Sequence, residues 1–190
     1  MGAPTLHLAS SSPRRREILS ALGLSFTAGG VDVDEQRLEG ETPNAMVLRL
    51  AQAKAVASGR GPASVVLGAD TAVVLGEQVF GKPEDEAAAV EILACLSGRT
   101  HSVLTGVALS TAEGIMTAVS ATEVRFREIG PDEARAYWQS GEPRDKAGAY
   151  AIQGLGGVFV ESISGSYSGV VGLPVFETAG LLRQAGLRVL

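Results

Sequence analysis

"TLHLASSSPRRREILSALG", residues 5–23, decides the fold class. The run from Thr5 to Ala9 reads as a strand, and Ser12 then stands where a helix N-cap belongs. Pro13 takes the first helical position, and the apolar spacing Ile18, Leu19, Leu22 stops at Gly23. A strand passing through a tight cap into a helix is the opening of an α/β fold. The same stretch poses a question of charge. Arg14, Arg15 and Arg16 crowd the first helical turn, where the helix dipole disfavours cations. Either these are solvated surface arginines, or the stretch is an anion site. In the second case the Ser10 and Ser12 hydroxyls and the free N–H groups of the first turn would meet a phosphate beside Arg14 and Arg15. The conflict with the dipole favours the anion.

Downstream, Thr42 and Pro43 repeat the helix-start signature, and Val47, Leu50, Ala51 and Lys54 share one face of the helix they open. "SVVLGAD", Ser64 to Asp70, reads as a buried strand ending in a carboxylate, and "TAVVL" continues extended to a turn at Gly76. Acidic Glu84, Asp85 and Glu86 start a helix reaching Ser97. Residues 101–111 and 115–128 alternate as strands around Glu113 and Gly114. Pro131 opens a further helix carrying Tyr137 and Trp138, a hairpin is expected over Gly157 to Gly172, and a helix from Pro174 to Ala185 closes the chain. Crossovers in the first half and hairpins in the second predict an α/β fold: a mixed twisted sheet flanked by helices, two-lobed with a central cleft, in a single domain over residues 1–190.

Composition narrows the function classes. The chain has 190 residues, 45 % of them hydrophobic, and a net charge of −5, which is wrong for a nucleic-acid binder that needs a basic face. Any phosphate ligand must be met by local clusters of Arg and Lys. The apolar runs are too short for a membrane span, and "MGAPTLHLAS" lacks a secretory leader, so a cytoplasmic protein without membrane partners is expected. A single cysteine, Cys95, excludes an internal disulfide and a thiolate metal site, and it reads as a small core residue.

Chemistry-bearing residues fall in four places. Asp70 in "LGADT" would lie at the strand end where open α/β sheets place their ligand crevice, so it can hold a metal or orient a water; the alternative is a carboxylate that only closes a turn. Asp32, Asp34 and Glu35 in "GGVDVDE" offer more oxygen ligands for a hard divalent cation, or else form an exposed acidic loop. "GEQVFGKP", Gly76 to Pro83, imitates a P-loop, but Pro83 stands where magnesium would need a Ser or Thr hydroxyl, so a P-loop enzyme is rejected and Lys82 is kept as a possible phosphate contact. In "EPRDKAGAYAIQGLGG", Lys146 can bind phosphate and the Gln153 amide can pair with a nucleobase edge, while the glycines would let backbone approach a ligand. His7 and His101 both lie in strands, away from any nucleophile elbow, so acid–base work would fall to a carboxylate and a metal.

In order along the chain, "LASSSPRRREIL", "VDE", "RLAQAKA", "GADT", "GKPEDEAAA", "LSGRTHSVLTGVAL", "GEPRDKAGAYAIQGLGG" and "GSYSGVVGLP" resemble the Maf family of nucleoside triphosphate pyrophosphatases. The resemblance runs nearly end to end. It implies a fold akin to inosine triphosphate pyrophosphatases, a cytoplasmic and often homodimeric protein, and cleavage of a nucleoside triphosphate between its α and β phosphates. By the same resemblance Asp70 is the proton acceptor that activates water, and Arg14, Thr71 and Gln153 mark the subgroup preferring dTTP and UTP over 7-methyl-GTP. Glu35, Lys54, Lys82 and Lys146 match positions associated with the metal, Mg²⁺ or Mn²⁺, and the phosphates. The expected site thus comprises Asp70 as catalytic base, Glu35 and Asp70 as metal ligands, and Ser10, Arg15, Lys54, Lys82 and Lys146 on the phosphates. Modified pyrimidine nucleotides are further expected substrates.

Overall fold

A computed structural model describes residues 5–59 and 64–190 of the chain; the reading of "MGAPTLHLAS" as leaderless begins on residues 1–4, which lie outside them. Strand β1, Thr5–Ala9, leads through the Ser12 cap into helix α1, Pro13–Ala21; the Ser12 hydroxyl accepts from the Arg15 N–H at 3.4 Å. After β2, Phe26–Gly29, helix α2 spans Pro43–Ala57 and is capped by the Thr42 hydroxyl. Strand β3, Ser64–Leu75, turns at Gly76 into the short β4, Gln78–Phe80. Helix α3, Glu86–Leu96, takes its cap from the Asp85 carboxylate. The hairpin is β5, Thr100–Thr111, with β6, Gly114–Phe126, and α4 follows over Pro131–Gln139. Three short 3-10 turns then carry the chain to β7, Val160–Ser164, and to helices α5, Tyr167–Val171, and α6, Val175–Gln184.

The sheet runs in the order β2-β1-β3-β5-β6-β7, with β4 also on β3. Strands β1, β2 and β3 are parallel to one another and the remaining pairings are antiparallel. The expected mixed sheet flanked by helices is present. Its two faces follow from the alternation of β3. Val66, Ala72 and Val74 point to α2, packing with Leu50, Ala51 and Ala55, whereas Leu67 and Ala69 meet Leu19 of α1 and Leu181 of α6. Farther along that second face, Val73 joins a separate core built from α3, α4 and the 3-10 turns around Phe126 and Phe159.

Two expectations need correction. Asp70 does not end a strand: β3 is continuous for 12 residues because β5 pairs with it without interruption from Val66 to Val74. The opening lies on the other edge of β3. Pairing with β1 stops at Leu67 and pairing with β4 begins at Val73, so residues 68–72 present an edge with no strand beside it. Asp70 therefore sits beyond the C-terminal end of β1, where a parallel neighbour leaves room for a ligand. The second correction concerns residues 157–172, which form no hairpin. Val160–Ser164 pairs with β6 instead, and the Ser166 hydroxyl, accepting from the Gly169 N–H at 3.0 Å, caps α5.

Candidate active site

The gap beside β3 opens into a cleft of about 960 Å³, within the range of small-molecule sites. Ser10, Arg14, Arg15, Glu35, Lys54, Asp70, Thr71, Lys82, Lys146 and Gln153 all line it. Residues from six separate segments thus meet at one place. Asp32 and Asp34 do not join them: Asp32 borders a smaller neighbouring hollow, and the Asp34 carboxylate accepts from the Gln36 N–H at 3.0 Å.

The floor is made by α2 and β3. Lys54 is only 8 % exposed, although it is a lysine on an apolar helix face, and Asp70 is 9 % exposed. Burial of either alone would be costly, and each answers the other. The Lys54 ammonium donates to Asp70 Oδ1 at 2.7 Å and contacts Glu35 Oε1 at 2.6 Å. Glycine makes this approach possible. A Cβ on Gly68 would stand 2.2 Å from the Ala51 carbonyl oxygen, and one on Gly106, the cross-strand partner of Asp70, would stand 2.5 Å from the Val47 carbonyl oxygen. The backbone of α2 therefore rests directly on the sheet and delivers Lys54 to the carboxylate.

The two carboxyls on Lys54 respond differently. Burial pushes Asp70 above its ordinary value, and the neighbouring charges of Lys54 and Arg15 only partly oppose it. Burial also pushes Glu35 up, but there the hydrogen bond from Lys54 and the charges of Lys54, Lys82 and Arg15 win, and its carboxyl lies below the ordinary value. Solvent access explains the contrast, since the Glu35 side chain is 57 % exposed and that of Asp70 only 12 %.

One wall comes from α1. Arg15 is fixed by three bonds: Nε donates to the Gly172 carbonyl at 2.8 Å, one terminal nitrogen to Thr71 Oγ1 at 3.2 Å and the other to Ser10 Oγ at 3.4 Å. Burial pulls its guanidinium below the usual value. The Thr71 hydroxyl also meets Thr105 Oγ1 at 3.0 Å, and Thr105 donates to the Gly169 carbonyl at 2.8 Å. Arg15 is therefore a tie between α1, β3 and the α5–α6 junction as well as a charge in the cleft. Arg16 turns away and donates to the Ser11 carbonyl.

The opposite wall comes from the 3-10 turns. Lys146 pairs with Asp145 and donates to the Glu142 carbonyl at 3.3 Å, while Arg14 reaches Asp145 from across the cleft at 3.5 Å. Lys82 and Gln153 are exposed on the rim. Sequence reasoning missed the bridging place of Asp145, as well as Arg37, which donates to the Glu77 carbonyl at 3.2 Å and lines the same cleft. The adjacency of Asp145 to Lys146 was a signal. Arg37 offered none.

As a place for a divalent cation, the floor supplies two hard carboxylate oxygens already converging on one positive centre, the Lys54 ammonium. Among the described residues no group of three or more His, Cys, Asp or Glu side chains forms, so the donor set suits a cation that shares its coordination with phosphate oxygens and water. No helix among the described residues is long and apolar enough to cross a membrane.

Comparison with known proteins agrees with the motifs. The chain is 55 % identical over 188 residues to the dTTP/UTP pyrophosphatase of Anaeromyxobacter dehalogenans (strain 2CP-C), covering 97 % of this chain and 95 % of that one. It is 52 % identical over 181 residues to the dTTP/UTP pyrophosphatase of Pseudoalteromonas translucida (strain TAC 125), covering 94 % and 95 %. Among solved structures it overlaps loosely with the Staphylococcus aureus Ham1 protein, at a TM-score of 0.46 and 17 % identity over 67 % of this chain and 72 % of that one, too little to carry an argument. The family described as Maf-like protein matches residues 5–185, and the chain belongs to the Maf family.

Proposed function

We infer that this protein hydrolyses dTTP and UTP, and modified pyrimidine nucleotides of the same base edge, to the monophosphate and pyrophosphate. The observation that carries the reading is the meeting, in one cleft, of a buried carboxylate, a second carboxylate, six cationic side chains and an exposed amide. The relatives named dTTP/UTP pyrophosphatase, similar over nearly their full length, support the same chemistry.

Asp70 is the base. Lys54 holds its Oδ1, which leaves Oδ2 to take the proton from the attacking water, and burial raises the basicity of the carboxylate toward the working pH. Water adds to one phosphorus of the α–β anhydride, the bond from that phosphorus to the bridging oxygen breaks, and the electron pair leaves on that oxygen, giving monophosphate and pyrophosphate. Lys54, Lys82, Lys146 and Arg15 face the phosphates and stabilise the charge that builds there, with the Ser10 hydroxyl beside them. Glu35 and Asp70 would hold Mg²⁺ or Mn²⁺, which supplies charge neutralisation on the phosphate oxygens. Gln153, with Arg14 and Thr71, would select a base bearing two carbonyls and an N–H, to which an amide is complementary. The protein would work in the cytoplasm, as a homodimer.

The test is hydrolysis of dTTP, UTP, CTP, GTP and 7-methyl-GTP by the purified protein with Mg²⁺, with product identity read directly. Pyrophosphate release is expected with dTTP and UTP, and Asp70→Asn should lose on the order of 10²–10⁴ in kcat. Release of single phosphate, or full activity in Asp70→Asn, would overturn the reading.

A further inference from the structure

Gln153 lies in a turn between Ala151 and the 3-10 turn Leu155–Phe159, closed only by the Gly154 N–H donating to the Ala151 carbonyl at 3.2 Å. What holds such a segment still is a question of hydrogen bonds. One side chain answers most of it. The Glu142 carboxylate accepts from the Leu155 N–H at 2.9 Å and the Gly156 N–H at 3.0 Å, and it accepts the Tyr137 hydroxyl at 2.6 Å. The Tyr137 oxygen in turn accepts from the Ala151 N–H at 3.1 Å. Backbone donors on both sides of Gln153 are therefore tied to the same pair of side chains.

The glycines of this stretch belong to the same arrangement. A Cβ on Gly154 would lie 2.1 Å from Glu142 Oε2, and one on Gly156 would lie 2.6 Å from the Tyr137 hydroxyl. The sequence reading gave these glycines the task of letting a ligand approach. In the structure they let Glu142 and Tyr137 approach.

We propose that Glu142 and Tyr137 form a clasp that positions Gln153, and so act as positioning residues for base selection, a role that rests on reading Gln153 as the base contact. Neither side chain touches substrate in this scheme. The Glu142 main chain also accepts from Lys146, so the clasp joins the base-facing amide to a phosphate-facing lysine. Burial pushes the Glu142 carboxyl up, but its three donors outweigh that and keep it below the ordinary value, so it stays an acceptor throughout the working range. Tyr137 is held above its ordinary value by burial and by Glu142, so it stays a donor.

The test uses Glu142→Gln, whose amide turns a donor toward groups that are themselves donors, and Gly154→Ala, whose Cβ crowds the Glu142 carboxylate and so disturbs the clasp from the side of the segment it holds. Gln153→Ala runs beside them. Two readouts are taken: amide exchange at Leu155 and Gly156, and the ratio of kcat/KM for dTTP to that for CTP. Exchange at both amides should accelerate at least ten-fold in Glu142→Gln, and the dTTP:CTP ratio should fall about ten-fold in both clasp variants, mainly through KM for dTTP. Combining Glu142→Gln with Gln153→Ala should lower the ratio no further than Gln153→Ala alone. Unaltered exchange, or an equal loss of kcat/KM on every nucleotide with the ratio preserved, would overturn the proposal. If Gln153→Ala keeps the wild-type ratio, the base-contact reading falls and base selection by the clasp falls with it, while exchange still decides whether the clasp holds the segment.

Discussion

Replacing Lys54 by Met keeps the apolar stem and removes the ammonium that lies 2.7 Å from Asp70 and 2.6 Å from Glu35. At an effective dielectric of about 20, an ion pair at the Asp70 separation has a gross attraction of roughly 6 kcal/mol. About half of that is offset by the desolvation that Lys54 no longer suffers, leaving a net loss of about 3 kcal/mol at pH 8. For a chain of this size that is a fall in Tm of roughly 6–12 °C. The pH dependence tests the cause. Asp70 already titrates above its unfolded value, so as pH rises through that window the folded state loses stability. Without Lys54 its folded pKa rises further and the window widens. Glu35, held below its ordinary value by Lys54, contributes stability above its unfolded pKa that the variant also lacks. The Asp70 effect fades as the carboxyl takes up its proton, and the Glu35 effect only as pH falls through its lowered folded value, so the deficit against wild type should be full at pH 8 and smaller at pH 4.5. Urea unfolding at the two pH values measures it. A deficit equal at both would assign the loss to packing, and a deficit under about 1 kcal/mol at pH 8 would refute the charge argument altogether.

Gly68→Ala should cost at least about 2 kcal/mol and lower kcat, because a Cβ 2.2 Å from the Ala51 carbonyl must lift α2 and Lys54 with it; Gly180→Ala in α6, with open space around its Cβ, should gain roughly 0.5–1 kcal/mol in the same denaturation assay. Arg15→Lys keeps the charge but cannot reach the Gly172 carbonyl and the Ser10 and Thr71 hydroxyls together. It should lose at least about ten-fold in kcat/KM and a few degrees in Tm, and wild-type turnover would remove Arg15 from the account.

The elements that could be read from the sequence are those whose punctuation is local. Ser12-Pro13 and Thr42-Pro43 announce α1 and α2, and the apolar face that includes Lys54 already marks that lysine as unusual. Asp70 was legible as a chemical residue but misplaced on its strand. What ends beside it is β1, a neighbour distant in sequence, and no local pattern in "SVVLGADTAVVL" reports where a neighbour stops. The expected hairpin at 157–172 failed for a related reason. Val160–Ser164 does form a strand, but its partner is the far end of β6, and the Ser166 cap competes for the chain that would have returned. Arg37 stayed hidden because its contact is to a backbone carbonyl, which any sequence can offer.

The resting of α2 on Gly68 and Gly106 divides the site into parts with different freedom to change. Lys54 and Asp70 are set by backbone against backbone, so almost any alteration there moves the buried carboxylate and its lysine together. Gln153 and Lys146 ride on short turns secured by a few side-chain bonds, and can be reshaped without disturbing that floor. With Gln153 as the proposed base contact, the preference for one nucleobase over another could change on those turns while Lys54 and Asp70 keep their places.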